Sequence, residues 1–107
     1  VAVNQSLKTH KNKLTPMHYS VCKAALIHLT KELTAKYGKK ITFNSVSFGG
    51  IEGRASESFI KSYSNLSPNG RMLNIDEVIE PINFLLSSNS SGINGHNLVV
   101  DGGWTIW

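Results

Sequence analysis

The sequence predicts an α/β fold in which helices alternate with parallel strands, as part of a larger doubly wound unit. Three observations carry that expectation. Helical and strand-like patterns alternate singly along the chain in the order helix, strand, helix, strand, the order of parallel architecture. Each strand-like run ends on a pair of glycines, Gly49-Gly50 and Gly102-Gly103. Two strands are too few to build a covered sheet, so the pattern describes part of such a unit.

The first helix is expected from about Met17 to Tyr37. Thr15 is a candidate N-cap and Pro16 suits the first helical position, where a missing N–H costs nothing. Val21, Ala25, Leu26, Leu29 and Leu33 recur near the helical period and read as its apolar side. Gly38 reads as the residue that stops it, with Lys36, Lys39 and Lys40 at the negative end of the dipole. Ile41 to Val46 reads as a strand. The adjacent glycines that follow suggest a tight backbone path, for a simple turn or for close approach of a ligand, and the stretch alone favours neither.

Residues 52 to 74 are polar and weakly patterned. A short helix over Ala55 to Ser64 would carry Phe59, Ile60 and Tyr63, and Ser67-Pro68-Asn69-Gly70 is a turn. A long connection of this kind often serves as a lid or mobile loop. Asn74 and Glu77 have the spacing of a capping box. The helix they open runs to about Leu86, with Ile75, Val78, Ile79, Ile82, Leu85 and Leu86 on its apolar side and Pro81 inside it, where a kink or tightened turn is expected. Ser87 to Asn94 reads as a loop, His96 to Val100 as the second strand, and Trp104 to Trp107 as an apolar tail after the Asp101-Gly102-Gly103 turn.

Composition narrows the function. The chain has 107 residues, 40% hydrophobic and 17% charged, which is globular rather than disordered. No apolar run approaches the ~20 residues needed to span a bilayer, and the lysine-rich start has no signal-peptide core, so no membrane partner is expected. The first residue is Val, not Met, which is compatible with a trimmed start and with a genuinely truncated gene product alike. Cys22 is the single cysteine; it permits no internal disulfide, argues for a reducing, cytoplasmic setting, and reads as a small packing residue. His10, His18, His28 and His96 show no metal-ligand spacing, so no metal is expected. The net charge of +4 comes from scattered lysines, with Arg54 and Arg71 the arginines and no aromatic interleaving. A solvated face is the simpler account, and a polyanion-binding module ranks behind it; no nucleic-acid partner is expected.

Tyr19 and Lys23 are the chemical signal. At i and i+4 they share one helical face. A phenol is a poor acid, with a pKa near ~10, and a cation alongside stabilises its phenolate, so the pair can exchange a proton near neutral pH. An exposed Tyr and Lys on a solvated face would carry the same spacing, so the pair gains weight only from its context.

That context resembles one family. Tyr19-Ser20-Val21-Cys22-Lys23-Ala24-Ala25, Ile41-Thr42-Phe43-Asn44-Ser45-Val46, Ser47-Phe48-Gly49-Gly50-Ile51, Gly70-Arg71-Met72, Phe84-Leu85-Leu86-Ser87 and Gly95 to Trp104 follow in the order and spacing of a short-chain dehydrogenase/reductase. They cover about residues 16 to 105. The resemblance is to the C-terminal half of that Rossmann-like fold, and the text is most similar to members linked to bacterial sugar modification, flagellin glycan pathways included. It implies that residues 1–107 are the catalytic C-terminal half of one domain and that the nucleotide-binding N-terminal half lies outside these residues. It implies hydride transfer between NAD or NADP and a small-molecule alcohol or carbonyl, a sugar derivative among the options. Tyr19 would be the acid/base. Lys23 would hold the nicotinamide ribose and support Tyr19. Gly49, Gly50 and Ile51 would line the nicotinamide pocket through backbone contacts. Residues 52–70 would form the substrate lid, and homo-oligomerisation would be expected.

Three features depart from the pattern. Phe48 stands where the family usually has proline, which would fix the backbone there. Ser6, thirteen residues before Tyr19, is either the catalytic serine or an ordinary loop hydroxyl, because some sub-families carry a longer loop before the tyrosine. No glycine-rich strand-to-helix turn of the kind that cradles a pyrophosphate is present. A chain of this kind is expected to be inactive on its own, and the alternative reading is a non-catalytic remnant or oligomerisation module.

Overall fold

The computed structural model describes residues 15–106. In chain order these form α1 (Met17–Tyr37), β1 (Ser45–Phe48), α2 (Glu57–Leu66), α3 (Asp76–Leu86), a 3-10 turn over Ser88–Ser90, and β2 (Asn97–Val100). The strands are adjacent and parallel, with Ser45 opposite Asn97 and Phe48 opposite Val100. The α/β alternation is therefore realised as one parallel pair, with α2 and α3 in the crossover between its strands.

The ends and sides of α1 differ from expectation. Pro16, not Thr15, occupies the cap, with φ −56° and ψ 136°, and no side chain caps the helix. The Pro16 carbonyl accepts the Tyr19 N–H at 3.1 Å. Val21, Leu26 and Leu29, the expected apolar side, are exposed. So is Cys22, which is not a packing residue among the described neighbours. Of the expected set only Leu33 is half-buried, and the inward stripe runs through it with Ile27, Thr30 and Thr34. Two threonines are tolerated there because their hydroxyls bond back to carbonyls one turn earlier, Thr30 Oγ1 to Leu26 at 3.1 Å and Thr34 Oγ1 to Thr30 at 2.9 Å. Gly38 ends the helix in the right-handed region, φ −62° and ψ −14°, so the left-handed stop is not used. Space demands glycine here: a Cβ would meet the Thr34 carbonyl and lie 2.8 Å from Asn94 Nδ2.

The strands begin where two asparagines clamp the chain. Asn94 Oδ1 accepts the Phe43 N–H at 2.9 Å while its Nδ2 donates to the Gly38 carbonyl at 3.1 Å. Reciprocally, Asn44 Nδ2 donates to the Ile93 carbonyl at 2.9 Å and its Oδ1 accepts the His96 N–H at 3.0 Å. The Phe43 N–H is thus taken by a side chain and its carbonyl by the Gly95 N–H at 2.7 Å. That is why β1 covers Ser45–Phe48 rather than Ile41 to Val46, and β2 starts at Asn97 rather than His96. The side-chain amides supply the partners that ladder bonds would otherwise provide.

The core sits beyond the ends of the strands. Tyr63, Met72 and Trp104 form it, each under a tenth exposed, with Ala55, Phe59 and Ile60 packed against them. The Tyr63 and Trp104 rings stack at 4.0 Å with their planes 2° apart. α2 begins two residues later than expected, because Ser56 caps it by accepting the Phe59 N–H. Trp104 reaches the core through a turn in which Gly102 and Gly103 have φ of 63° and 84°, angles that glycine adopts without strain. Asp101 closes that turn: one oxygen accepts the Gly103 N–H at 2.9 Å, the other the Thr105 N–H at 3.0 Å and the Thr105 hydroxyl at 2.7 Å.

The capping box forms. Asn74 Oδ1 accepts the Glu77 N–H at 3.1 Å, and Glu77 Oε2 accepts the Asn74 N–H at 3.0 Å. Arg71 grips the same carboxylate with two bonds of 2.7 Å. The Arg71 bonds, then the Asn74 N–H, hold the Glu77 carboxyl down from 4.5 to about 2. The folded-state value is the depressed one, so this pair's stabilisation is complete above pH 4.5 and disappears as pH falls towards 2. The thermal advantage of the native protein over Glu77→Gln is expected to vanish across that window in a pH series of melting curves; an advantage constant from pH 6 to pH 2 would contradict it.

Candidate functional site

α1 carries Tyr19, Lys23, Leu26 and Ile27 on one stripe, and that stripe faces β1 across an open groove of about 440 Å³. The opposite wall is Ser45, Val46, Ser47, Phe48 and Gly49, with Ile51 at the mouth. Lys23 Nζ stands 5.6 Å from the centroid of the Tyr19 ring, within cation–π range. Tyr19 is 48% exposed. The pair is neither splayed apart nor walled off.

The wall opposite is polar backbone on a fixed frame. Ser45 and Ser47 point their hydroxyls at Asn97 Oδ1, each at 2.9 Å, which ties this wall to β2. The Gly49 N–H donates to the Val100 carbonyl at 3.0 Å. The Gly50 N–H donates to the Tyr63 hydroxyl at 2.7 Å, and the Gly50 carbonyl accepts the Leu73 N–H at 2.8 Å. Ile51 makes an isolated parallel bridge with Leu73. The bonds of that bridge use the Gly50 carbonyl and the Glu52 N–H. The N–H and C=O of Ile51 itself therefore point away from Leu73, and neither has a partner among the described residues.

Of the site residues expected from sequence, the structure brings Tyr19, Lys23, Gly49 and Ile51 to one groove. Gly50 is not on its lining; both its backbone polar groups bond inward. Ser6 lies outside the described residues. Phe48, noted in sequence only as a departure, supplies part of the wall. The contact of the Tyr63 hydroxyl with the Gly50 N–H, thirteen residues earlier, was not legible from a short helical pattern. Burial pushes the Tyr63 phenol above its ordinary value and the Asp101 carboxylate adds to this, the Gly50 N–H opposing them. Tyr63 therefore stays protonated at neutral pH.

The groove also runs along the free edge of β1, which among the described residues pairs only with β2. A bare strand edge offers a row of N–H and C=O groups to another strand. The part of the groove beside Ser45–Phe48 is suited to backbone pairing, and the part between Tyr19, Lys23, Gly49 and Ile51 to a small molecule.

A family model described as enoyl-(acyl carrier protein) reductase matches residues 2–105. Post-translational flagellin modification protein A of Campylobacter coli is 33% identical over 91 residues, covering 84% of this chain and 36% of that protein. A short chain dehydrogenase of Leptospira borgpetersenii, solved with bound NAD+, superposes with a TM-score of 0.79 at 39% identity, over 94% of this chain and 40% of that one. Gluconate 5-dehydrogenase of Burkholderia cenocepacia, solved with NADP and tartrate, gives 0.81 at 28% identity, over 92% of this chain and 41% of that one. The chain thus spans about two-fifths of the length of these proteins.

A Cβ on Gly49 would lie 2.9 Å from Asp101 Cα, the Asp101 carbonyl and the Tyr63 hydroxyl. Two of these atoms are backbone and cannot swing aside. Gly49→Ala is expected to destabilise the encoded protein by about 1–3 kcal/mol, the usual cost of overpacking, measured by chemical denaturation; a variant as stable as the parent would show that the two strand ends are not packed as described.

Proposed function

Because the chain belongs to the short-chain dehydrogenase/reductase family, we propose that its groove is the reacting end of a nicotinamide-dependent oxidoreductase, and that residues 1–107 are the C-terminal catalytic half of a single Rossmann-like domain. The observation that carries this reading is the meeting of Tyr19, Lys23, Gly49 and Ile51 at one opening. Their donor set fits the nicotinamide end of NAD or NADP. Lys23 presents an ammonium for ribose hydroxyls, Ile51 an unengaged N–H and C=O for a carboxamide, and Gly49 a wall without a side chain for a flat ring.

When bound, the nicotinamide accepts or donates the hydride. The chain's own residues handle the proton and the positions. In the oxidative direction Tyr19 Oη, as phenolate, takes the proton of the substrate hydroxyl while the hydride leaves the same carbon; in reduction it returns that proton to the carbonyl oxygen. Lys23 holds positive charge beside the phenolate. Ser6, if it aligns as the family serine, adds a hydrogen bond to the same oxygen. Residues 52–70, which include α2, form the lid over the opening. The substrate class is a small alcohol or carbonyl compound. Sugar derivatives are favoured by the similarity to a flagellin modification protein and a gluconate dehydrogenase. No described helix is long and apolar enough to cross a membrane, and a cytoplasmic setting fits the free Cys22.

Tyr19→Phe tests the reading. Turnover of the encoded protein with NAD(P)H and a panel of polyols and keto sugars is expected to fall by about 10²-fold or more, with dinucleotide binding retained. Undiminished turnover would reject the role of Tyr19.

A second reading concerns assembly, and a specific observation favours it. The described core is small, while Met17, Val21 and Leu29 on α1, Ile75 just before α3, and Ile79, Ile82 and Leu86 along α3 are exposed. Apolar faces of this extent are usually covered. We take them to pack against the rest of the encoded protein and against a second copy, so that a homo-oligomer is the working form and the 107 residues alone are inactive. Sedimentation of the encoded protein should give a dimer or larger at micromolar concentration; a well-folded monomer would exclude the second copy.

A further inference from the structure

We infer that Tyr63 is a positioning residue, holding the Gly49–Ile51 backbone from the lid side through the bond its hydroxyl accepts from the Gly50 N–H while its ring is pinned on Trp104. The inference rests on the nicotinamide reading above and deepens it. Residues 49 and 50 are consecutive glycines, and a glycine pair has little backbone preference of its own. Val100 and Leu73 hold the pair from the strand side through the Gly49 N–H and the Gly50 carbonyl, and Tyr63 holds the remaining Gly50 N–H from the lid side.

The contacts are close on every side. The hydroxyl is 2.7 Å from the Gly50 nitrogen. A Cβ on Gly50 would lie 2.6 Å from Tyr63 Cε2 and 2.8 Å from Met72 Cε, and a Cβ on Gly49 would lie 2.9 Å from the Tyr63 hydroxyl. The ring cannot retreat, because Trp104 stacks on its face at 4.0 Å. Tyr63 belongs to α2, inside the proposed lid, so seating of the lid and shape of the wall are one event. When α2 lifts, the Gly50 N–H loses its partner, and the glycine pair is left held only from the strand side, by Val100 and Leu73. Burial keeps the phenol neutral, so its part is steric and hydrogen-bonding, and proton transfer belongs to Tyr19.

Tyr63→Phe removes the oxygen and keeps the stack, so the variant is expected to fold. In the encoded protein, kcat at saturating dinucleotide and alcohol should fall about tenfold, as expected for a displaced wall, with the alcohol KM within about twofold and the melting temperature shifted by no more than about 2–4 °C. Gly50→Ala forces a methyl against the same ring and should lower kcat too, and the double variant should be no worse than the poorer single, because both act through one contact. A wild-type kcat in Tyr63→Phe, a loss that merely follows the folded fraction, or fully additive losses in the double variant would each overturn the assignment. Tyr19→Phe separates the two levels. If it is inactive while Tyr63→Phe is normal, only the positioning role falls. If Tyr19→Phe keeps full turnover, or if the parent turns over none of the panel, the site reading falls and takes Tyr63 with it.

Discussion

The parallel pairing of β1 and β2 ends on both strands at the same level, Phe48 against Val100, and the shape of the site follows from what the chain does immediately afterwards. Carboxyl ends of parallel strands lie along one edge of a sheet, which is where open α/β sheets place their ligands. Here Gly49 leaves β1 still bonded to the Val100 carbonyl, with its Cα against Asp101 as β2 ends. No side chain fits between the two departing strands. That single close approach sends residues 49–51 across the mouth of the groove and turns residues 102–104 back so that Trp104 meets Tyr63.

Polar side chains do much of the joining. Asn44 and Asn94 tie the starts of the strands to each other and to the end of α1, Asp101 ties the end of β2 to Thr105, and Arg71 with Asn74 ties the start of α3 through Glu77. Each satisfies backbone groups that would otherwise lack partners in a stretch too irregular for ladder bonds. Among the described residues, several aliphatic side chains of α1 and α3 are exposed. One wall of the groove is a helix with exposed apolar side chains and the other, among the described residues, a strand paired on one edge only.

Local signals in the sequence were faithful where the physics was local. The capping box at Asn74 and Glu77, the turn at Ser67–Gly70 and the i, i+4 placement of Tyr19 and Lys23 depend on residues a few positions apart, and all three stand in the structure. The apolar side of α1 did not follow its period, because the inward stripe passes through threonines whose hydroxyls are satisfied within the helix. β1 moved along the chain because Asn94, fifty-one residues after Phe43, claims the Phe43 N–H inside the stretch where the strand was expected. Gly38 was legible as an end of α1, but its reason was a neighbouring side chain rather than its own dihedral angles.

Composition, helical period and turn chemistry were therefore enough to establish an alternating parallel α/β chain, a phenol and an ammonium on one helical face, and glycines after each strand, since all of these reside in short stretches. Which wall those side chains face, that Gly50 turns its N–H away from the groove, and that an aromatic pair from α2 and the chain end underpins the glycine loop were settled by tertiary packing. Those relations join residues far apart in sequence, and their distances exist only once the two strands have been brought side by side.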